Sequence, residues 1–485
     1  MKTFLRILGL GLIILIAVHV VNTWRYSPQF TASEPVTLPD VAADAVAARL
    51  GEAIRIKTLS TRLGLSDDHP DFLSFVDWLA ATYPAANAAI DREMINGLTP
   101  LYHWPGSDPS LPPILLTAHY DVVPAVERDG NWAYPPFSGE IAEGFIWGRG
   151  ALDDKSAVVA LMEAVELLAG QGFRPARTVY LSFGHDEEIG GRMGAGGVAE
   201  YFQAKGTRMA WSLDEGSMIL KDVIAGLDYP VASINVAEKG YVTLDITAHA
   251  EGGHSSLPPR DTAVSTLAAA VTRLQSEPVP GGLTGASRDF FDALGPYFSL
   301  EKRVLFANQW LWRPVLEMVL SGSPATDAML RSTKAPTMLA GSAKENVLPQ
   351  QAVATVNYRI HPRDSIETIV QHTRDMIGDD AVDVSIRGKG NEPSEVSVSD
   401  SAAFGLLAAT FRQVFGDLIV VPGLTVAGTD TRHYSKISDN SYRINPFVFT
   451  GEDIARLHGA NERIGVDAMA QAVQFYVLLI RNAAG

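Results

Sequence analysis

Apolar positions along this chain change rhythm several times, and each rhythm predicts an element. Short runs of apolar and β-prone residues mark Ile114 to Thr117, Thr178 to Phe183 and Met209 to Leu213. Runs without polar alternation suit strands buried on both faces, as in a parallel sheet covered by helices. Between the first two, Ser156 to Ala169 places Val158, Leu161, Val165 and Leu168 at helical spacing and stops at Gly170, which predicts a strand-helix-strand crossover. Asp40 to Leu59 predicts an earlier helix on the same body.

The rhythm shifts near Asn235. Tyr241 to Thr247 and Ala352 to Ile360 alternate as half-buried antiparallel strands do, and Thr262 to Leu274 and Ile366 to Met376 carry helical periodicity. Phe404 to Phe415, Leu418 to Pro422 and Val466 to Ile480 then return to α/β character. The expected architecture is α/β: a main domain with a mainly parallel sheet flanked by helices (40–234 and 394–485), interrupted by a smaller α+β domain (235–393). Within the smaller domain, Glu277 to Lys334 is long for a connection and carries Trp310-Leu311-Trp312 and Leu316 to Leu320. Such a stretch suits a greasy pocket or a membrane surface, and its plainer reading is a helix packed between domains.

The N-terminus has its own pattern. Lys2 and Arg6 precede an apolar stretch from Ile7 to Val21, interrupted only by glycine and His19. No small-x-small pattern follows closely, so residues 1–26 read as an uncleaved signal anchor and 27–39, rich in Pro, Ser and Thr, as a linker. Basic residues on the N-terminal side predict a body outside the cytoplasm, periplasmic or lumenal, or secreted if the segment is cleaved.

Composition narrows the chemistry. A chain of 485 residues with 47% apolar content supports more than one domain. A formal charge of -16 opposes a general affinity for nucleic acid or anionic lipid, since such binding draws on counterion release to Lys and Arg. Cysteine is absent, so any metal must be held by His and carboxylate, a donor set suited to zinc, manganese or cobalt.

The candidate donors lie at the ends of the buried runs or at helix starts: His119-Tyr120-Asp121, Asp153-Asp154-Lys155, Glu187-Glu188 and Asp214, with His458 near the end of the chain. Taken singly, each has a bland reading, since paired acids are common on solvated faces and helix starts. Strand ends of a parallel sheet, however, gather on one edge, where open α/β folds bind ligands.

Read with their surroundings, these motifs resemble the dizinc exopeptidase family of aminoacylase, carboxypeptidase S, glutamate carboxypeptidase and succinyl-diaminopimelate desuccinylase. The matching pieces are Thr117 to Pro124, Trp147 to Lys155, His185 to Gly191, Leu213 to Gly216, Gly252 to Ser256 and His458 to Glu462. The resemblance implies two zinc ions per chain, with manganese or cobalt as substitutes. His119, Asp153 and Asp214 would hold one and Asp153, Glu188 and His458 the other, Asp153 bridging. It further implies Asp121 behind His119, a metal-activated water with Glu187 as general base, His254 on the oxyanion after domain closure, and a cis bond at Asp153-Asp154. The smaller domain would act as a lid and, as in many relatives, as the surface of a homodimer.

Arg359 is the expected receptor for a substrate carboxylate, and Asn346, Gly428 and Thr429 fall in segments that match substrate contacts of the family. Similarity is greatest to the branch of carboxypeptidase S and the fatty-acyl amino-acid amidohydrolases, so a peptide or an N-acyl amino acid is the expected substrate. Two other readings start from the same residues: an inactive anchored binding protein on this fold, and a two-metal phosphoesterase.

Overall fold

The computed structural model describes residues 1–485 apart from 32–33, 62–68 and 127–130. Among the described residues, the all-apolar runs become the interior of a ten-stranded sheet. Strand Ile114–His119 lies between Val179–Gly184 and Trp211–Asp214, all three parallel, and Ser441–Arg443 continues the parallel set. Every residue of Ile114–His119 is buried, which explains the lack of polar alternation. The hairpin Asp91–Ile95 and Thr99–Trp104 closes one side antiparallel. Strand Val231–Glu238, with Ile419–Thr425 parallel to it, continues the other.

Helix Lys155–Gly170 makes the crossover between Ile114–His119 and Val179–Gly184. It is almost wholly buried because it packs against the sheet, helix Ala43–Arg55 and helix Val466–Ala484. The last of these brings the end of the chain into the core formed by its beginning.

The smaller sheet is antiparallel throughout, in the order Thr333–Ala340, Gln351–Ile360, Gly240–His249, Val382–Ile386. Helices Ala263–Ser276 and Ile366–Ile377 cover one face, each started by a Ser/Thr capping box, and a separate apolar cluster holds them there. The chain leaves the main sheet after Glu238 and returns where Ser394 N donates to Glu238 O at 3.2 Å.

Glu277 to Lys334 forms four short helices, Gly285–Leu294, Leu300–Ala307, Gln309–Leu320 and Pro324–Leu330, before it enters the smaller sheet. The first lies on strand Ile419–Thr425 of the main sheet, so part of the stretch does pack between domains. The third leaves a broad apolar face exposed. Residues expected as linker are seated where described: Phe30 meets Tyr229 and Tyr297, with ring centroids 4.7 and 5.2 Å apart.

Candidate active site

Three strands deliver their chemistry to one edge of the sheet. His119 closes Ile114–His119, Glu187 begins a short 3-10 turn just beyond Val179–Gly184, and Asp214 closes Trp211–Asp214. Asp153 comes from the loop that starts helix Lys155–Gly170, across a cis peptide bond to Asp154. His458 follows helix Gly451–Arg456 in a left-handed backbone conformation, φ 56°.

These residues meet around Asp153. His119 Nε2 lies 2.9 Å from one carboxylate oxygen and His458 Nε2 2.9 Å from the other, while His458 Nε2 is 3.3 Å from Glu188 Oε2. His119, Asp153 and Glu188 each offer a ligand atom within 4.8 Å of the others, and so do His119, Glu187 and Glu215. Two bonds of about 2.0–2.1 Å at a tetrahedral angle set donors roughly 3.3 Å apart, so the spacing suits shared cations.

Asp214 stands elsewhere. Its two oxygens accept the Thr117 and Thr431 hydroxyls, both at 2.7 Å, so it ties strand Ile114–His119 to helix Thr431–Tyr434. Glu215, the next residue, turns its carboxylate to His119 and Glu187 instead. The sequence reading passed over Glu215, though the adjacent acids in Leu213-Asp214-Glu215-Gly216 were the available signal.

Asp121 does more than stand behind one histidine. His119 Nδ1 is 3.0 Å from the Asp121 carbonyl oxygen and 3.3 Å from its Oδ1, while the carboxylate accepts the Glu187 and Glu188 N–H groups at 3.1 and 3.2 Å and Ser60 Oγ at 2.6 Å. One buried aspartate therefore aligns both the imidazole and the Glu187-Glu188 turn. Gly191, just past this turn, lets Asp430 approach the backbone closely, because a Cβ there would lie 1.7 Å from Asp430 Oδ1.

Glu462 performs the corresponding task for Asp153. Its Oε1 accepts the Gly150 and Leu152 N–H groups at 2.9 and 2.7 Å, and Arg149 pairs with its other oxygen while donating to the His458 carbonyl at 3.0 Å. The loop of Asp153 and the loop of His458 are thus joined by one buried ion pair. Replacing a single member leaves the other charge uncompensated, a cost of about 3–5 kcal/mol. Accordingly, Arg149→Met is expected to lower the thermal midpoint and the metal content together; unchanged values in calorimetry and elemental analysis would remove this role.

The donor set carries more negative charge than its neighbours balance. Burial raises Glu187 well above the usual carboxylate range, with Asp430, Glu188 and Asp121 adding to the rise and His119 opposing it. Burial likewise raises Glu188 and Glu215, with Asp153 adding in both cases. Hydrogen bonds to Asp153 and Glu188 push His458 up to about 10. Glu188 Oε1 is buried without a hydrogen-bond partner among the described residues. Carboxylates crowded in this way, with one orphaned oxygen, fit divalent cations.

A cavity of about 730 Å³ opens beside them. Asp153, Glu187, Glu188, Glu215 and His458 line it, and so do Lys239, Arg359 and Arg432. Gly428 and Thr429 line it too, Thr429 Oγ1 donating to Glu238 at 2.7 Å. The Arg359 guanidinium lies over the Tyr241 ring, 5.1 Å from its centroid. Met218, Leu220, Phe449, Ile454 and Leu457 give the same cavity an apolar wall. His254 and Asn346 do not line it: Gly253–His254 pairs with Val347–Leu348 in a separate two-stranded antiparallel ribbon, where His254 is exposed, and Ser255 N donates to Asn346 O at 3.2 Å.

Crowded acids at the carboxyl edge of a parallel sheet, open to a substrate-sized cavity, suit divalent cations and a metal-dependent hydrolase. Comparisons place it further. The model of Peptidase family M20/M25/M40 matches residues 115–482, and the chain belongs to that family. It is 39% identical over 493 residues to a probable carboxypeptidase S-like 2 of Dictyostelium discoideum, covering 99% of this chain and 94% of that one. It is 37% identical over 494 residues to the N-fatty-acyl-amino acid synthase/hydrolase PM20D1 of Xenopus tropicalis, covering 99% and 95%. The M20 family metallo-carboxypeptidase Sso-CP2 from Sulfolobus solfataricus shares the fold, with a TM-score of 0.61 at 17% identity over 90% of this chain and 98% of that one. The protein is therefore an enzyme of the amidohydrolase and metallopeptidase class, and an inactive scaffold is set aside.

Proposed function

We propose that this enzyme hydrolyses an amide next to a free carboxylate, with N-acyl amino acids as its preferred substrates. The observation that carries the reading is the make-up of the cavity: proton-handling carboxylates, the Arg359 guanidinium, and the apolar side chains Met218, Leu220 and Phe449 all line one space. A guanidinium binds carboxylate through two parallel hydrogen bonds, and the apolar wall suits an acyl chain. The relatives named for carboxypeptidase S and for N-fatty-acyl-amino acid hydrolysis support both the reaction and this substrate class.

His119, Asp153 and Glu215 would hold one zinc and Asp153, Glu188 and His458 the other, with Glu215 taking the place expected for Asp214. When bound, such ions polarise the scissile carbonyl and acidify water. Glu187, next to a donor and open to the cavity, takes the proton from the attacking water and returns it to the leaving amine. Asp121 holds Glu187 in place through the backbone, and Arg359 sets the substrate's register. His254 reaches the cavity only when the smaller domain swings toward the main sheet or a second copy presents it. Strand Thr333–Ala340 supports pairing of two copies, since its outer edge is unpaired among the described residues and Met338 and Leu339 are exposed.

The test is a panel of long-chain and acetyl amino acids, dipeptides, and their carboxamides. Free carboxylates with long acyl chains should give the highest kcat/KM; equal rates on the carboxamides would overturn the reading. Arg359→Met should raise KM by about 10- to 100-fold, the worth of a charged hydrogen bond of about 1.5–3 kcal/mol, and leave kcat on saturating substrate nearly unchanged.

Residues 2–25 form a helix long and apolar enough to cross a membrane by length and composition. We read it as a retained anchor, with the body outside the cytoplasm.

A further inference from the structure

We propose that helix Gln309–Leu320, with the groove it forms against helix Lys2–Arg25, lies in the interface of the phospholipid bilayer that the N-terminal helix crosses. The inference rests on the reading of that helix as an anchor, and the test below separates the two.

The first observation is the seating of the N-terminal helix. Trp312 Nε1 donates to His19 Nε2 at 3.0 Å, Asn22 Nδ2 to Asn308 Oδ1 at 3.0 Å, and Tyr26 OH to the Asp292 carbonyl at 2.6 Å. His19, the polar interruption of the apolar run, is satisfied on its other side by an Nδ1 contact of 2.8 Å to the Leu15 carbonyl. A simple tether needs no such partners. These contacts hold the body at a set height on the helix.

That height is consistent with an interfacial position. From Phe4 to Val21 the helix rises about 27 Å, close to a hydrocarbon core of about 30 Å, and Trp24 falls where aromatic side chains mark the boundary. His19 lies roughly 7 Å before Trp24, within the 5–10 Å depth at which interfacial helices bury their apolar face.

The second observation is the inverted polarity of Gln309–Leu320. Trp310 is 62%, Met318 73% and Val319 62% exposed, and Leu311 and Val315 complete the same face at helical spacing. Glu317 is the polar side chain that turns inward, accepting the Leu283 N–H at 2.9 Å, while Arg313, 44% exposed, reaches back to donate to the Leu283 carbonyl at 2.9 Å. A helix bathed in water carries its polar residues outside. This one presents oil.

The third is the groove itself, about 650 Å³ and lined by Leu15, Ile16, Val20, Leu300, Val304 and Leu311. Arg303 is the cation on its wall, and its Nε is buried without a hydrogen-bond partner among the described residues. Apolar walls with one unpaired guanidinium complement an acyl chain and its phosphate.

Because the chain has no cysteine, single reporters are clean. Full-length Met318→Cys, Ile13→Cys and Leu73→Cys, each labelled with a polarity-sensitive fluorophore, are reconstituted in vesicles of phosphatidylcholine and phosphatidylglycerol. Quenching by shallow and deep doxyl lipids and by aqueous iodide is then read. The expected result is strong shallow-lipid quenching and iodide shielding at Met318, deep-lipid quenching at Ile13, and iodide access at Leu73. Iodide access at Met318 with Ile13 quenched by lipid overturns the inference and leaves the anchor standing. Lack of lipid quenching at both overturns both. Shielding of Met318 that grows with protein density and lacks lipid quenching assigns the face to a second copy and overturns the inference. Arg303→Gln should make the Met318 signal insensitive to phosphatidylglycerol content; if inorganic phosphate in the buffer reproduces the lipid's effect, the headgroup assignment fails.

Discussion

Glu187→Gln is expected to lower kcat by about a thousand- to ten-thousand-fold while metal content per chain and fold stay as in the parent enzyme. Glutamine keeps the shape and the backbone hydrogen bond from Glu187 N to Asp121 Oδ1 at 3.1 Å, but it has no carboxylate to receive a proton. General acid-base catalysis contributes about 10² to 10⁴ in rate, and a residue that acts in both halves of the reaction falls at the upper end. The measurement is steady-state kinetics on an N-acyl amino acid, beside elemental analysis of the same preparation. A kcat within a few-fold of the parent would remove Glu187 from the proton path. A parallel loss of metal would mean that it serves as a ligand.

The second large effect separates two neighbours. Glu215→Ala is expected to take away one metal ion per chain and to lower kcat/KM on the order of a thousand-fold, since an ion that polarises the carbonyl is worth several kcal/mol of barrier. Asp214→Asn should keep both ions and lose stability instead. Its carboxylate holds the Thr117 and Thr431 hydroxyls at 2.7 Å each, and weakening a charged, buried acceptor costs about 1–3 kcal/mol. Metal stoichiometry and thermal midpoint, measured on both variants, give opposite patterns for the two assignments. Loss of metal from Asp214→Asn with metal retained in Glu215→Ala would restore the assignment first read from the sequence.

The arrangement also shows why some contacts escape sequence reasoning. Glu462 sits in the motif His458 to Glu462, yet its partners are N–H groups of Gly150 and Leu152, some three hundred residues earlier. Backbone donors have no sequence signature. His254 sits in an intact Gly-Gly-His-Ser-Ser segment, but its short strand is paired to Val347–Leu348 and stands outside the cavity. A motif reports what a side chain can do and says nothing of how far it stands from its target.

Local pattern alone determined much of this protein: the buried parallel strands, the crossover helix, the antiparallel smaller domain and the order of acid and imidazole motifs at strand ends. Each follows from periodicity and from the rule that parallel strands share one carboxyl edge. Only the tertiary structure decided which of Asp214 and Glu215 faces His119, because one residue's shift along a strand reverses the direction of its side chain. Likewise, composition showed that Trp310 to Leu320 is apolar, and packing decided that Leu316 and Glu317 meet the body while Trp310, Met318 and Val319 face outward. Direction, unlike hydrophobicity, belongs to the assembled chain.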